Sequence, residues 1–203
     1  MPNITAIFSD VGGVLLSNGW DRDMRRTFAQ KYHLDWEEFE GRHELVSMAF
    51  EVGQITLDHY LDCAIFHRPR DFSKQEVRDY IFACSTAKAG SLALFARLAQ
   101  RRACFLATLN NEPRELNQYR IEHFGLRNYF AAFFSSCYLG VAKPDAAIYR
   151  VALEISSRAP EESLFIDDRP LNLECAARLG MRTVLFRNAA QLERDLHEAG
   201  VEV

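Results

Sequence analysis

Short apolar runs rich in β-branched and aromatic residues recur along the chain at 4–9, 103–107, 131–135, 163–166 and 182–186. Each is bounded by turn-forming or polar residues. Without polar alternation, they read as strands buried on both faces. Between them the pattern changes to a helical period. The segment 113–124 opens with Pro113 in the first turn and stops before Gly125. The segment 144–155 places Ile148, Val151, Ala152 and Ile155 on one predicted face, and 171–179 ends at Gly180, a left-handed cap. Alternating short strands and helices predict an α/β fold, a doubly wound sheet of mostly parallel strands.

One stretch breaks the rhythm. From about residue 17 to 88 only helical patterns occur, at 21–32, 36–50, 57–65 and 74–84, the last opened by the capping box Ser73-x-x-Glu76. A strand-to-helix connection needs only about 2–6 residues. The reading is therefore a helical bundle, 17–88, inserted into a core formed by 1–16 and 89–203. The insertion carries ten basic and thirteen acidic residues, with no basic stripe.

Composition narrows the function classes. With 203 residues, 48% apolar and 26% charged, the chain suits a folded domain rather than a disordered one. The net charge of -4 and the lack of a basic patch argue against nucleic-acid or anionic-membrane binding. No apolar run approaches the roughly 18 residues that span a bilayer, and no basic-then-apolar leader is recognisable, so a cytoplasmic protein is expected. Cys63, Cys84, Cys104, Cys137 and Cys175 form no C-x-x-C pair and are expected as free thiols.

In an open parallel sheet, ligands bind outside the carboxyl ends of the strands. There the sequence places Asp10, Thr108, Asp167 and Asp168, with Lys143 shortly after the third strand. Each alone has a plain reading: Asp10 as a turn former, Thr108 as an ordinary strand-end residue, Lys143 as solvated, the aspartate pair as a helix cap. Together they put three carboxylates on one rim. Such a group repels unless a hard cation joins it, and Mg²⁺ is the natural choice. A lysine, a hydroxyl and backbone N–H groups make a seat for phosphate.

The constellation resembles the haloacid dehalogenase (HAD) superfamily. Phe8-Ser9-Asp10-Val11-Gly12-Gly13-Val14-Leu15 looks like its first motif, Leu106-Ala107-Thr108 like its second, Lys143-Pro144-Asp145 like its third, and Phe165-Ile166-Asp167-Asp168 with Asn172 like its fourth. The insertion looks like the helical C1 cap of subfamily I. The resemblance implies a Rossmann-like core and a Mg²⁺-dependent phosphatase in which Asp10 attacks phosphorus to form an aspartyl-phosphate. It implies that Thr108 and Lys143 hold the phosphoryl oxygens and that Lys143 steadies Asp10 and the acidic pair. Asp10, the Gly12 carbonyl and Asp168 would hold the metal, with Asp167 behind them. Substrate contacts are expected from Thr108, Leu109, Lys143, Gly12 and Gly13. The partner expected is a small phosphorylated metabolite of sugar-phosphate type, and the protein a monomer or homodimer.

Two positions depart from the commonest pattern. Gly12 stands where many relatives carry an aspartate that protonates the leaving oxygen, and where the dehalogenase branch carries tyrosine; a branch with D-x-G-G-V or D-x-G-N-V first motifs includes sugar-phosphate phosphatases. Leu109 stands where asparagine often follows the second-motif hydroxyl, with Asn110 and Asn111 next. The alternatives are hydrolysis of a C–halogen bond without metal, and a weakly catalytic phosphate-ligand binder. In the insertion, His43 and Trp20 could reach the site but read first as packing residues. Arg22, Arg25, Arg26 and Arg42 read mainly as a solvated face, and Phe124, Tyr129, Phe130, Phe133 and Phe134 as core.

Overall fold

The computed structural model describes residues 3–203. Its elements run β1 (Ala6–Ser9), α1 (Arg22–Lys31), α2 (Trp36–Glu51), α3 (Leu57–Ala64), α4 (Lys74–Ala83), α5 (Ala89–Arg101), β2 (Phe105–Asn110), α6 (Arg114–His123), β3 (Ala132–Ser135), α7 (Ser136–Leu139), α8 (Ala146–Ser156), β4 (Ser163–Asp167), α9 (Pro170–Arg178), β5 (Arg182–Leu185) and α10 (Ala189–Glu198). The five strands are all parallel, in the order β3-β2-β1-β4-β5.

Alternation along the strands explains the layers. Ile7, Leu106, Leu164 and Ile166 face a core closed by Leu94, Phe95 and Leu98 of α5 and Leu192 and Leu196 of α10. Phe8, Ala107, Leu109 and Phe165 face the opposite core, closed by α8 and α9. The doubly wound α/β class expected from sequence is therefore the observed one. The helices α5 and α10 were not anticipated. The buried face of α8 is Ile148, Tyr149, Ala152 and Leu153; Ile155, expected beside them, is 65% exposed. Strand β2 runs to Asn110, three residues beyond its last apolar run.

Helices α1 to α4 pack around their own apolar cluster of Trp20, Phe28, Phe39, Phe50, Tyr60, Leu61, Val77 and Ile81. Each is started by a side chain that accepts an N–H of its first turn: Asp21 from Met24, Asp35 from Glu38, Thr56 from His59 and Ser73 from Glu76. Such caps stabilise by about 1 kcal/mol each. The capping box at Ser73 and Glu76 is complete.

The chain enters and leaves this helical layer along neighbouring paths. Ser17 N–H donates to Thr86 O at 2.9 Å, and Ser17 Oγ donates to Cys84 O at 2.7 Å. The left-handed Gly180 (φ +94°) ends α9 as expected. The five cysteines are free. Among the described residues no helix is long and apolar enough to cross a membrane.

Candidate active site

Register brings the acidic residues together. Ser9 lies beside Thr108 on one side and beside Ile166 on the other. Asp10 therefore emerges one step past β1, next to Asp167 at the end of β4, and its N–H donates to Ile166 O at 2.8 Å. One oxygen each of Asp10, Asp167 and Asp168 lie within 4.8 Å of one another. The turn after β1 makes room for this. Gly13 has φ +75°, and a Cβ there would fall 2.0 Å from Asp168 Oδ2, so only glycine lets that carboxylate lie against the turn.

Lys143 is shared between two of the carboxylates. Its Nζ is 2.6 Å from Asp167 Oδ2 and 3.1 Å from Asp10 Oδ1, and its side chain is buried. Asp167 also accepts both contacts of Asn172 Nδ2, at 3.1 and 3.0 Å, and the Arg169 N–H at 2.8 Å. With its oxygens so occupied, Asp167 orients Lys143 rather than facing a ligand. Asp168 differs: its Oδ1 is buried without a hydrogen-bond partner. Burial raises its pKa above the ordinary carboxylate range, with Asp167 adding to the effect. Burial also raises Asp10, to about 7, against the pull of Lys143 and with a further push from Asp167. Three carboxylates facing one ammonium leave a formal excess of two negative charges. An orphaned acidic oxygen in such a cluster fits a divalent hard cation.

A cavity of about 310 Å³ opens above this rim, between the sheet and the helical layer. Asp10, Gly12, Lys143 and Asn172 line it from below, and Trp20, Arg25, His43, Ser47 and Glu51 from above. Thr108 does not line it. This residue is fully buried, and its hydroxyl has no protein partner. The Leu109 side chain is fully buried in the lower core, so any contact from that residue to substrate must come through its main chain. Gly12 is open: its φ lies outside the left-handed region, and an added Cβ would meet Asn18 Oδ1 at 3.4 Å and Arg120 Nη1 at 3.8 Å.

Several site residues carried little signal in the sequence. Asn111 donates through Nδ2 to Lys143 O and accepts from Lys143 N–H, both at 2.8 Å, which pins the loop that delivers the lysine. Arg120 is completely buried in α6, where it binds Glu112, Ser85 Oγ at 3.0 Å and Ser17 O at 3.1 Å. Arg25, expected on a solvated face, is buried and binds both oxygens of Glu40, at 2.8 and 2.7 Å. Arg22 and Arg26 are exposed over the ring of Trp36, with Arg22 also at the edge of the cavity. Trp20 and His43 both reach the cavity.

Comparison with known proteins gives the class. The profile of haloacid dehalogenase-like hydrolases matches residues 4–180. The chain belongs to that family of hydrolases. It is 30% identical over 164 residues to Flavin mononucleotide hydrolase 1 of Arabidopsis thaliana, covering 81% of this chain and 66% of the relative. It is 35% identical over 91 residues to a phosphoserine phosphatase of Thermus thermophilus, covering 44% of this chain and 36% of the relative. The chain thus spans less than two thirds of the length of these curated relatives. A HAD family enzyme of Bacteroides thetaiotaomicron shares the fold with TM-score 0.80 and 23% identity, over 92% of this chain and 95% of that one. That enzyme has also been solved with magnesium and inorganic phosphate.

Proposed function

We propose that this hydrolase is a Mg²⁺-dependent phosphatase acting on a small phosphomonoester of sugar-phosphate type, with residues 17–88 as its cap. The observation that carries this reading is the buried Lys143 held between Asp10 and Asp167 beside the unpartnered Asp168 oxygen. Asp10, Asp168 and the Gly12 carbonyl are the groups that would hold Mg²⁺. When bound, the ion supplies positive charge that keeps Asp10 ionised and offsets charge on the phosphoryl oxygens.

Asp10 is the nucleophile: its carboxylate oxygen attacks phosphorus, the P–O bond to the leaving alcohol breaks, and water later hydrolyses the aspartyl-phosphate. Lys143 holds Asp10 and a phosphoryl oxygen, and the backbone of Leu109 and Gly13 completes the phosphate seat, with the unpartnered hydroxyl of buried Thr108 behind the cavity wall as its remaining donor. Asp167 and Asn172 fix the lysine. Dehalogenation would need no metal, and the acidic trio weighs against it.

The test is phosphate release from phenyl phosphate with Mg²⁺ and with chelator. Activity should require the ion. Asp10→Asn should reduce turnover at least about 10³-fold without lowering the melting temperature, since an amide is a poor nucleophile. An active Asp10→Asn protein refutes the mechanism.

A further inference from the structure

The cap side of the cavity holds a hydrogen-bonded chain whose proton positions can be worked out. Tyr60, on α3, is completely buried and stacked on Phe50 at 4.4 Å. Its Oη accepts from Trp20 Nε1 at 2.8 Å and lies 2.9 Å from His43 Nδ1 on α2. An indole N–H can only donate, so the tyrosine oxygen is the acceptor in the first contact. Burial holds the phenol well above its ordinary range, so it keeps its own proton. That buried proton needs an acceptor, and His43 Nδ1 is the partner the structure provides.

His43 Nδ1 is therefore unprotonated, and the proton of the neutral ring sits on Nε2. Burial, and then the Arg25 charge, push the imidazolium pKa down to about 4, against the opposing pull of Glu40. The other charged groups on this wall are Asp21, which caps α1, Arg22 of α1 and Glu51 of α2. Nε2 has no protein partner, nor is it among the buried unpartnered atoms, and His43 lines the cavity opposite Asp10 and Lys143.

We infer that His43 is a specificity residue: it presents a fixed, uncharged Nε2–H to an oxygen of the leaving group, and so lowers KM for phosphate esters of hydroxylated alcohols relative to those of plain hydrocarbon or aryl alcohols. This rests on the phosphatase reading above. Because its one ring proton belongs to a neutral imidazole, His43 positions the leaving group and does not protonate it. The chain Trp20–Tyr60–His43 makes the donor permanent, since reversing it would leave a buried phenol proton without an acceptor.

The experiment compares wild type, His43→Asn and His43→Gln on glucose 1-phosphate, glucose 6-phosphate, ribose 5-phosphate and glycerol 3-phosphate against phenyl phosphate. Gln carries an amide N–H near the place of Nε2, and Asn near that of Nδ1. For the best hydroxylated ester, His43→Asn should raise KM about three- to tenfold, the worth of one neutral hydrogen bond, with kcat little changed. His43→Gln should restore it, and phenyl phosphate should respond to neither variant. Histidine ¹⁵N spectra of the wild-type protein at pH 7 should show His43 as the Nε2–H tautomer, and Tyr60→Phe should release that preference.

A Nδ1–H tautomer, an imidazolium at pH 7, or an unchanged preference in His43→Asn overturns the inference. So does a wild-type enzyme that hydrolyses phenyl phosphate and none of the hydroxylated esters. If no phosphate ester is hydrolysed at all, the phosphatase reading fails and the leaving-group role falls with it, while the spectra still decide the proton assignment.

Discussion

Gly12 sets the most discriminating prediction. A positioned general acid contributes about 10²–10⁴-fold, roughly 3–5 kcal/mol of barrier, to a step that expels a poor leaving group. At position 12 there is no side chain to do this, and the nearby His43 is a neutral ring at pH 7. Wild-type rates should then fall steeply from aryl to alkyl phosphates, by about 10² or more in kcat at matched saturation. Gly12→Asp should recover about 10²-fold on alkyl phosphates and change aryl phosphates only a few-fold. The backbone permits the change, since the nearest atoms to an added Cβ are at 3.4 Å or beyond and no positive φ is required. The assay is a leaving-group series on both proteins, with calorimetry to show that Mg²⁺ binding is retained. Another source of a proton is Glu51, on the cavity wall and pushed above the ordinary carboxylate range by burial. A flat wild-type series, or a folded Mg²⁺-binding variant without selective gain, would falsify the missing-acid argument.

The remaining predictions concern metal, stability and pH. Gly13→Ala should weaken Mg²⁺ binding more than tenfold by calorimetry, as Asp168→Ala does, because the methyl group displaces the Asp168 carboxylate without altering any acidic side chain; unchanged affinity in both variants would remove Asp168 from the metal site. Arg120→Met should destabilise by about 3–5 kcal/mol in urea titration, since it leaves Glu112 buried and uncompensated, and adding Glu112→Gln should recover part of that loss; a loss under 1 kcal/mol would show the pair is dispensable. His43 has a folded pKa of about 4 against 6.5 in the unfolded chain, so the unfolded state binds the proton first. Its contribution is complete above pH 6.5 and is lost as pH falls to about 4, by at most about 3 kcal/mol; His43→Gln should flatten that limb, and parallel stability curves for the two proteins would refute the shift.

The acidic rim was legible because the physics of a parallel sheet is simple. Residues just past the carboxyl ends of neighbouring strands converge whatever lies between them, so Asp10, Asp167 and Asp168 could be brought together from local patterns alone. Lys143 followed from its place between the third strand and the next helix. Where local pattern and tertiary demand diverged, the reading slipped. Strand β2 continues through Thr108 and Asn110 although apolar periodicity ends at Ala107; Asn110 is satisfied inside by Asn117 and Ser135. Ile155 sits at a helical spacing that fits either side of α8, and only packing against the sheet chooses Leu153 instead. The pairs Arg25–Glu40 and Arg120–Glu112, and the chain from Trp20 through Tyr60 to His43, join different elements, and no periodicity encodes them. A buried arginine reads in sequence like any solvated one.

Arg120 shows why these hidden pairs matter to the site. Its guanidinium donates to the Ser17 carbonyl on the segment leading into α1 and to the Ser85 hydroxyl on the segment leaving α4, so one side chain of α6 ties both connections to the core. It also stands 3.8 Å from where a side chain at position 12 would begin, and so close to Gly19 that a Cβ there would fall 2.1 Å from Nη2. Glu112, not a residue at position 12, neutralises it. A carboxylate introduced at position 12 would therefore meet a cation already paired, and would keep more of its proton affinity than one facing an unpaired arginine. The absence of an acid in the first turn and the buried Arg120–Glu112 pair are thus parts of one electrostatic arrangement. Removing Glu112 should lower the pKa of any acid placed at position 12, and with it the gain on alkyl phosphates.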